Sequence, residues 1–434
     1  MKQLTRLFIP ICLETLFYML SGMVDTLMLS AVGDYAVGAV GTANSYIGIF
    51  IIMFSIISSG MVSVMTQNIG AGRPGVAYQA RQLGLLFNAV AGVLMAAFLF
   101  LGAGAILRMV GIADALYEPA LIYLKIVGGG CILNAVIPIF SSYLRAFGYT
   151  KQPLYATIVG NIANFVMNAV FLFVLHKGVA GVATATVISK ILNLCIVLYF
   201  SHKLISAKNS TERIANKTVL GQIVKVGLPS ACETALYNVA MMLVIRFLNQ
   251  MDAEGLNVTA RSYTATISNF SYCVGAALAQ ANAIMTGWHI GAGELEECDR
   301  GTKRAAFVGV CVAVCMETAI VLGSGFIMPL FTDNPEMTAL VRKLLAIDIV
   351  LEIGRVTNLV FGQALKTSGD AVFPAVIAAV FMFVFAVGGT WLFGISMGLM
   401  AVGAYIGLAS DECVRAVGMV WRWKTGKWRT KKLV

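Results

Sequence analysis

Twelve stretches of mostly apolar residues run along the chain, at about 7–31, 38–66, 82–106, 118–146, 153–175, 179–201, 221–249, 257–286, 303–328, 338–365, 372–394 and 398–422. Each holds about 20 or more residues, enough to cross ~30 Å of hydrocarbon as a helix. A transmembrane β-barrel needs short alternating segments, which these are not. The longest polar segment inside the chain, HKLISAKNSTERIANKTVL at 202–220, separates the sixth stretch from the seventh. The pattern predicts an all-α integral membrane protein of twelve transmembrane helices. It divides into an N-terminal six-helix lobe (1–202), a cytoplasmic linker (203–220) and a C-terminal six-helix lobe with a basic tail (221–434).

The two lobes repeat one another. LETLFY at 13–18 is echoed by CETALY at 232–237, and IGAG occurs at Ile69–Gly72 and at Ile290–Gly293. Leu144-Arg145, Gly148 and Pro153 recur as Leu365-Lys366, Gly369 and Pro374. The first match is offset by 219 residues and the others by 221. Six is an even number of crossings, so both copies start on the same side. The repeats are parallel, a construction common among transporters, with a cleft between lobes as the expected substrate path. Pro138 predicts a kink in the fourth helix, and Gly128-Gly129-Gly130 predicts either a bend or a tight packing surface.

Composition agrees with the hydropathy pattern. Apolar residues make up 59% of the chain and charged residues 12%, about half the charge of a soluble domain. Of 31 basic residues, 21 fall at the termini and in alternate loops, among them Lys2, Arg6, Arg73, Arg145, Lys151, Arg304 and Lys432. Only Arg108, Lys177, Arg342 and Lys343 occupy the opposite loops. This bias predicts a multi-pass protein of the cell membrane with both termini cytoplasmic. The net charge of +10 is then a topology signal with attraction to anionic lipid, and no nucleic-acid partner is expected. Trp421, Trp423 and Trp428 read as an interfacial anchor. The first helix is too long for a signal peptide and lacks a cleavage site. Cys311 and Cys315 read as small packing residues. His176, His202 and His289 lie at span ends without metal-like spacing, so no metal, cofactor or intramembrane catalysis is expected.

Charges within spans cost at least ~2.5 kcal/mol each on insertion scales, so each needs a reason. Glu14 is matched in the second copy by Glu233, which suggests an architectural role such as bonding a neighbouring helix end. Asp25, about 16 Å further along the same helix face, has Val244 at its counterpart position. Asn161, Asn164 and Asn168 form a polar stripe on the fifth helix. At an offset of 221 their places hold Met382, Phe385 and Gly389, and Thr186 on the sixth helix is replaced by Gly407. Interhelical hydrogen bonds could account for single residues. Their joint loss from the other lobe points instead to a site for a small hard cation or a proton. Lys190 lies one turn from Thr186, either modulating Asp25, paired with Glu14, or snorkelling. In the second lobe Asp348, Glu352 and Arg355 share a face of the tenth helix. With Arg246, Arg261, Glu317, Asp411, Glu412 and Arg415 they are expected to form ion networks, some of which could meet substrate alongside Glu233.

The VDT of the first helix, the two IGAG motifs and LRAFG after the fourth helix together resemble the multidrug and toxic compound extrusion (MATE) transporters, nearest the DinF-like branch. The resemblance implies a V-shaped two-lobe bundle acting as a monomer. It would export amphipathic, often cationic drug-like molecules in exchange for H⁺ or Na⁺, without a cofactor. The family's coupling-cation site maps onto Asp25, Asn164, Asn168 and Thr186. Asn168 stands where several relatives carry Asp, which leaves one formal charge and, with Lys190 near, favours H⁺. One branch uses acids on the seventh and tenth helices for cations. Here Glu233 comes too early after its proline and Arg355 fills the tenth-helix place, so no second-lobe cation site is transferred. A flippase for lipid-linked oligosaccharides is the alternative within the superfamily, and twelve spans argue against it.

Overall fold

The computed structural model describes residues 2–110, 112–205, 212–252 and 255–434. Residues 206–211 of the expected linker lie outside the described residues. The first copy comprises α1 (Lys2–Ser30), α2 (Asp34–Gly70), α3 (Pro74–Val110), α4 (Asp114–Gly129), α5 (Cys131–Ala146), α6 (Lys151–Ala169) and α7 (Gly178–Leu204). The second comprises α8 (Asn216–Met251), α9 (Leu256–Ala292), α10 (Leu295–Ile327), α11 (Pro335–Ser368), α12 (Val372–Phe381) and α13 (Met400–Lys424). No strand occurs among the described residues. Among the described residues eight helices are long and apolar enough to cross a membrane, nine when α4 and α5 count as one broken span. The remaining three, α9, α11 and α13, carry many of the second lobe's polar side chains, which dilutes their hydropathy.

α4 and α5 together form the fourth predicted helix, which bends by 41° between Gly129 and Cys131. The break falls at the glycine triplet, and Pro138 lies within the continuous α5. The triplet also packs closely: a Cβ on Gly128 would lie 3.0 Å from that of Leu99.

The repeated motifs are helix stops. In each IGAG a glycine takes a left-handed backbone, Gly72 at φ 74° and Gly293 at φ 80°. Each donates its N–H back to the motif's isoleucine at 3.1 Å, and the next residue's N–H reaches one residue further back at 2.8 Å. This is the glycine-ended helix cap, which satisfies carbonyls a helix end leaves free. Gly148 (φ 84°) and Gly369 (φ 97°) end α5 and α11 in the same way. α11 starts equally explicitly, with the Asn334 side chain accepting from Glu336 N and Met337 N and Pro335 at the first position.

Backbone bonds fix the register between the copies beyond what sequence matching gives. The cap bond Tyr149 N to Leu144 O recurs as Asp370 N to Leu365 O, an offset of 221. Further along, Leu175 N to Val170 O recurs as Met397 N to Leu392 O, and Lys177 N to Phe171 O as Leu399 N to Phe393 O, an offset of 222. The second copy therefore gains one residue inside its eleventh predicted span. That span is π-helical over Met382–Val387, where the first copy remains α-helical, and a π-bulge is how a helix absorbs an extra residue. Both copies then enter a π-helical stretch, Val170–Val174 and Thr390–Ser396, and the same turn. The turn holds two left-handed residues two apart, His176 and Gly178 in one copy, Gly398 and Met400 in the other.

The chain divides into two compact units, Ile9–Gly227 and Leu228–Val434, the second joined by Met1–Phe8. In the first, Leu29, Ala39, Leu99, Leu107, Leu124 and Val182 are among the residues of a continuous core. In the second the core includes Val244, Leu248, Leu344, Leu345, Leu351 and Tyr405. Many core positions are alanine, which lets helix backbones approach closely in a membrane.

The tail departs from the expected interfacial anchor. Trp423 and Trp428 stack at 4.2 Å and are each 1% exposed, whereas only Trp421 stays exposed. Trp423 Nε1 donates to Asp299 at 2.7 Å, Arg422 forks onto Asp370, and Arg429 meets Glu296 at 2.6 Å. Acids at the ends of α10 and α11 draw the tail's cations onto its own lobe, and the indoles are buried beneath them.

Candidate functional site

The polar stripe of α6 faces α1. The Asn168 amide donates to Asp25 Oδ1 at 2.8 Å and to Asn164 Oδ1 at 3.2 Å. Asn168 is fully buried and Asn164 nearly so, while Asn168 Oδ1 has no partner among the described residues. Further along, the Asn161 amide donates to the Phe17 carbonyl at 2.8 Å, so it ties α6 to α1 without reaching Asp25. The Thr186 hydroxyl bonds back to Val182 O at 2.9 Å within α7. Tyr123 of α4 brings its hydroxyl beside Thr186 and Asn44 and within electrostatic reach of Asp25. The arrangement is one carboxylate with an amide donor, amide oxygens and two hydroxyls, which can hold a proton or a small hard cation.

Lys190 does not pair with Glu14. Its ammonium donates to Asn134 of α5 at 2.8 Å and acts on Asp25 electrostatically. Glu14 is bound instead by Arg145, in the last turn of α5, at 2.5 Å. Tyr123, Asn44 and Asn134 went unnoticed in the sequence. Their only signal is a polar group within an apolar span, and that is common enough not to single them out.

The shifted register changes which residues of the second lobe correspond. With one residue absorbed in the π-helix, Asn168 matches Thr390 and Thr186 matches Leu408, rather than Gly389 and Gly407. Thr390 is fully buried and spends its hydroxyl on Ala386 O of its own helix. Val244, opposite Asp25, is buried among core residues. At this level α13 and the π-helical continuation of α12 close on glycine: a Cβ on Gly407 would lie 2.9 Å from both Phe385 O and Thr390 N. The helix pair that keeps polar side chains in the first lobe is in backbone contact in the second.

The second lobe holds ion networks of its own. Glu233 pairs with Lys366 at 2.8 Å, repeating the Glu14–Arg145 pair at the matched positions. Arg355 binds Glu352 and stands 3.9 Å from Glu412, and Arg415 clasps Asp411 and Glu412 at 2.7 and 2.8 Å. A cavity of about 490 Å³ opens on this network, lined by Glu233, Arg261, Asp348, Arg355, Tyr405 and Arg415 among others. Glu317 departs from the expected pairing: it is fully buried, and among the described residues it makes no ion pair.

Two related helical lobes with polar sites buried within them are the build of a polytopic membrane transporter. The chain belongs to the MatE family, whose pattern matches residues 10–170 and again 229–392, once in each lobe. It is 33% identical over 97% of its length, and 94% of the relative's, to an uncharacterized transporter, YisQ, of Bacillus subtilis. It is 21% identical over its whole length, and 94% of the relative's, to a probable multidrug resistance protein, NorM, of Thermotoga maritima. Among solved structures, a MATE protein in a straight conformation is similar over 99% of this chain and 97% of that one, with a TM-score of 0.87 at 21% identity. Nothing among these relatives favours the oligosaccharide flippase.

Proposed function

We propose that this transporter is a secondary active antiporter of the cell membrane, with both termini cytoplasmic, that exports amphipathic, often cationic compounds in exchange for H⁺. The observation that carries this reading is Asp25, a carboxylate within a span, held by a buried amide in one lobe only. When ionised, Asp25 accepts the Asn168 amide. A proton turns it into a donor, so that bond loses its charge assistance and α1 and α6 must readjust against each other. Asn168 Oδ1, buried and without a partner among the described residues, is an acceptor within the same constellation. Asn164 orients the amide of Asn168. Thr186 and Tyr123 supply hydroxyls beside it. Lys190 and the absence of a second carboxylate among these residues support H⁺ over Na⁺.

The test is dye efflux from proteoliposomes under an imposed pH or Na⁺ gradient. Asp25→Asn keeps shape and hydrogen bonding but cannot exchange a proton. It should abolish gradient-driven efflux with expression unchanged, and unimpaired transport would sink the assignment. Efflux driven by Na⁺ alone would replace the proton.

A further inference from the structure

Three acids of the second lobe converge from two helices. Glu317 comes from α10, and Asp348 and Glu352 from successive turns of α11. One carboxylate oxygen of each lies within 4.8 Å of the others. All three are buried, at 0%, 2% and 0% exposure. Among the described residues neither oxygen of Glu317 has a partner in full hydrogen-bonding geometry, and the same holds for Asp348 Oδ2 and Glu352 Oε2. From the third side α9 presents the buried hydroxyls of Ser268 toward Asp348 and Ser271 toward Glu317.

The surrounding cations do not compensate this charge. Arg355 is committed to Glu352 and shared with Glu412, and Arg415 is taken by Asp411 and Glu412. Five acids thus face two guanidinium groups. Arg261, on the wall of the same cavity, has the Met241 sulfur as its contact. Buried ions without compensation are among the most costly features a protein can hold. Three carboxylates and two hydroxyls with open lone pairs are also the donor set a hard cation takes. Oxygens that share one ion at about 2.3–2.6 Å stand at most roughly 4.6–5.2 Å apart, and these three fall within that limit. Asp348 and Ser268 line the 490 Å³ cavity, which gives an ion a way in.

We infer that Glu317, Asp348 and Glu352, with Ser268 and Ser271, form a second cation site, within the C-terminal lobe, for an oxygen-seeking ion of Na⁺ or Ca²⁺ size. It differs from a site on the seventh and tenth helices: Arg355 fills that tenth-helix place, no acid of the seventh helix takes part, and beside Asp348 and Glu352 of α11 the ligands come from α9 and α10. It rests on no property of Asp25.

The test uses the full-length protein in detergent, with NaCl against choline chloride in one arm and CaCl₂ in the other. Thermal unfolding and titration calorimetry are the readouts. The wild type and Asp25→Asn should both gain melting temperature with one of the ions, and the responding arm identifies it as monovalent or divalent. Glu317→Gln should lower apparent affinity at least tenfold. Should that variant fail to fold, Ser271→Ala removes one hydroxyl ligand and should weaken binding severalfold. No shift in either arm would overturn the site and leave the acids neutralised by protons. An equal shift in both variants would place the ion elsewhere. Loss of the shift in Asp25→Asn, with Glu317→Gln unaffected, would assign it to the first lobe.

Discussion

Replacing Gly407 by alanine tests whether α13 and the π-helical continuation of α12 are in backbone contact. The added Cβ would lie 2.9 Å from Phe385 O and Thr390 N and 3.0 Å from Gly389 C. Favourable carbon contacts lie near 3.5–4.0 Å, so the helices must separate by roughly half an ångström or more. Overpacking of this kind costs about 1–3 kcal/mol. Alanine also favours a helix over glycine by about 1 kcal/mol, which would mask part of the effect. Gly418→Ala on the same helix removes that ambiguity, because its Cβ would meet only Ile377 Cγ2, at an ordinary 3.6 Å. The propensity gain cancels between the two variants and the overpacking remains. At about 2–4 °C per kcal/mol for a unit of this size, Gly407→Ala should melt about 2–12 °C below Gly418→Ala. Thermal unfolding of the purified protein, followed by loss of the monodisperse peak in size-exclusion chromatography, is a sufficient assay. Equal melting temperatures would refute the close approach, and with it the argument that the second lobe has no room here for a polar site.

Asn168→Ala removes the hydrogen bond to a charged carboxylate, worth about 1.5–3 kcal/mol, and should slow gradient-driven efflux roughly 10- to 100-fold. Asn161→Ala loses a bond to backbone only and should change efflux less than threefold. Glu14→Gln leaves the mostly buried Arg145 without its acid, at a cost of about 3–5 kcal/mol in melting assays. The exchange Glu14→Arg with Arg145→Glu should recover much of that loss, and no recovery would argue against a specific pair. Trp428→Ala deletes a fully buried indole, at about 3–5 kcal/mol, and should expose residues 425–434 to limited proteolysis. An unchanged digestion pattern would show that the tail holds without it.

Much of the architecture is legible because membrane insertion imposes a coarse rule, long apolar runs with polar breaks, and because the repeat states it twice. The IGAG motifs read as repeat markers and prove to be left-handed helix caps, so their recurrence is dictated by backbone geometry. The meeting of Asp25 with Asn164 and Asn168 was also legible, since an acid and amides in apolar spans need polar partners, although Asn161 of the same stripe bonds the Phe17 carbonyl instead. Other features were not. The one-residue shift after α12 leaves no mark in composition, because a π-bulge accepts ordinary apolar residues. It moved Thr390 and Leu408 into the places first given to Gly389 and Gly407. The isolation of Glu317 depends on which helix faces α11, which spacing along α10 cannot reveal. Trp423 and Trp428 misled because an aromatic–basic tail looks the same whether it meets lipid or the acids of its own lobe.

The turn that follows each π-helical stretch is held by the same backbone bonds in both lobes, yet its left-handed positions are filled differently. One copy has His176 then Gly178, and the other has Gly398 then Met400. A side chain in this conformation is disfavoured by about 1–2 kcal/mol, and each half bears that strain at the opposite position. The glycine that one half lacks is the one its twin retains. The duplication thus works as an internal reference, in which each lobe carries a repair template for the other.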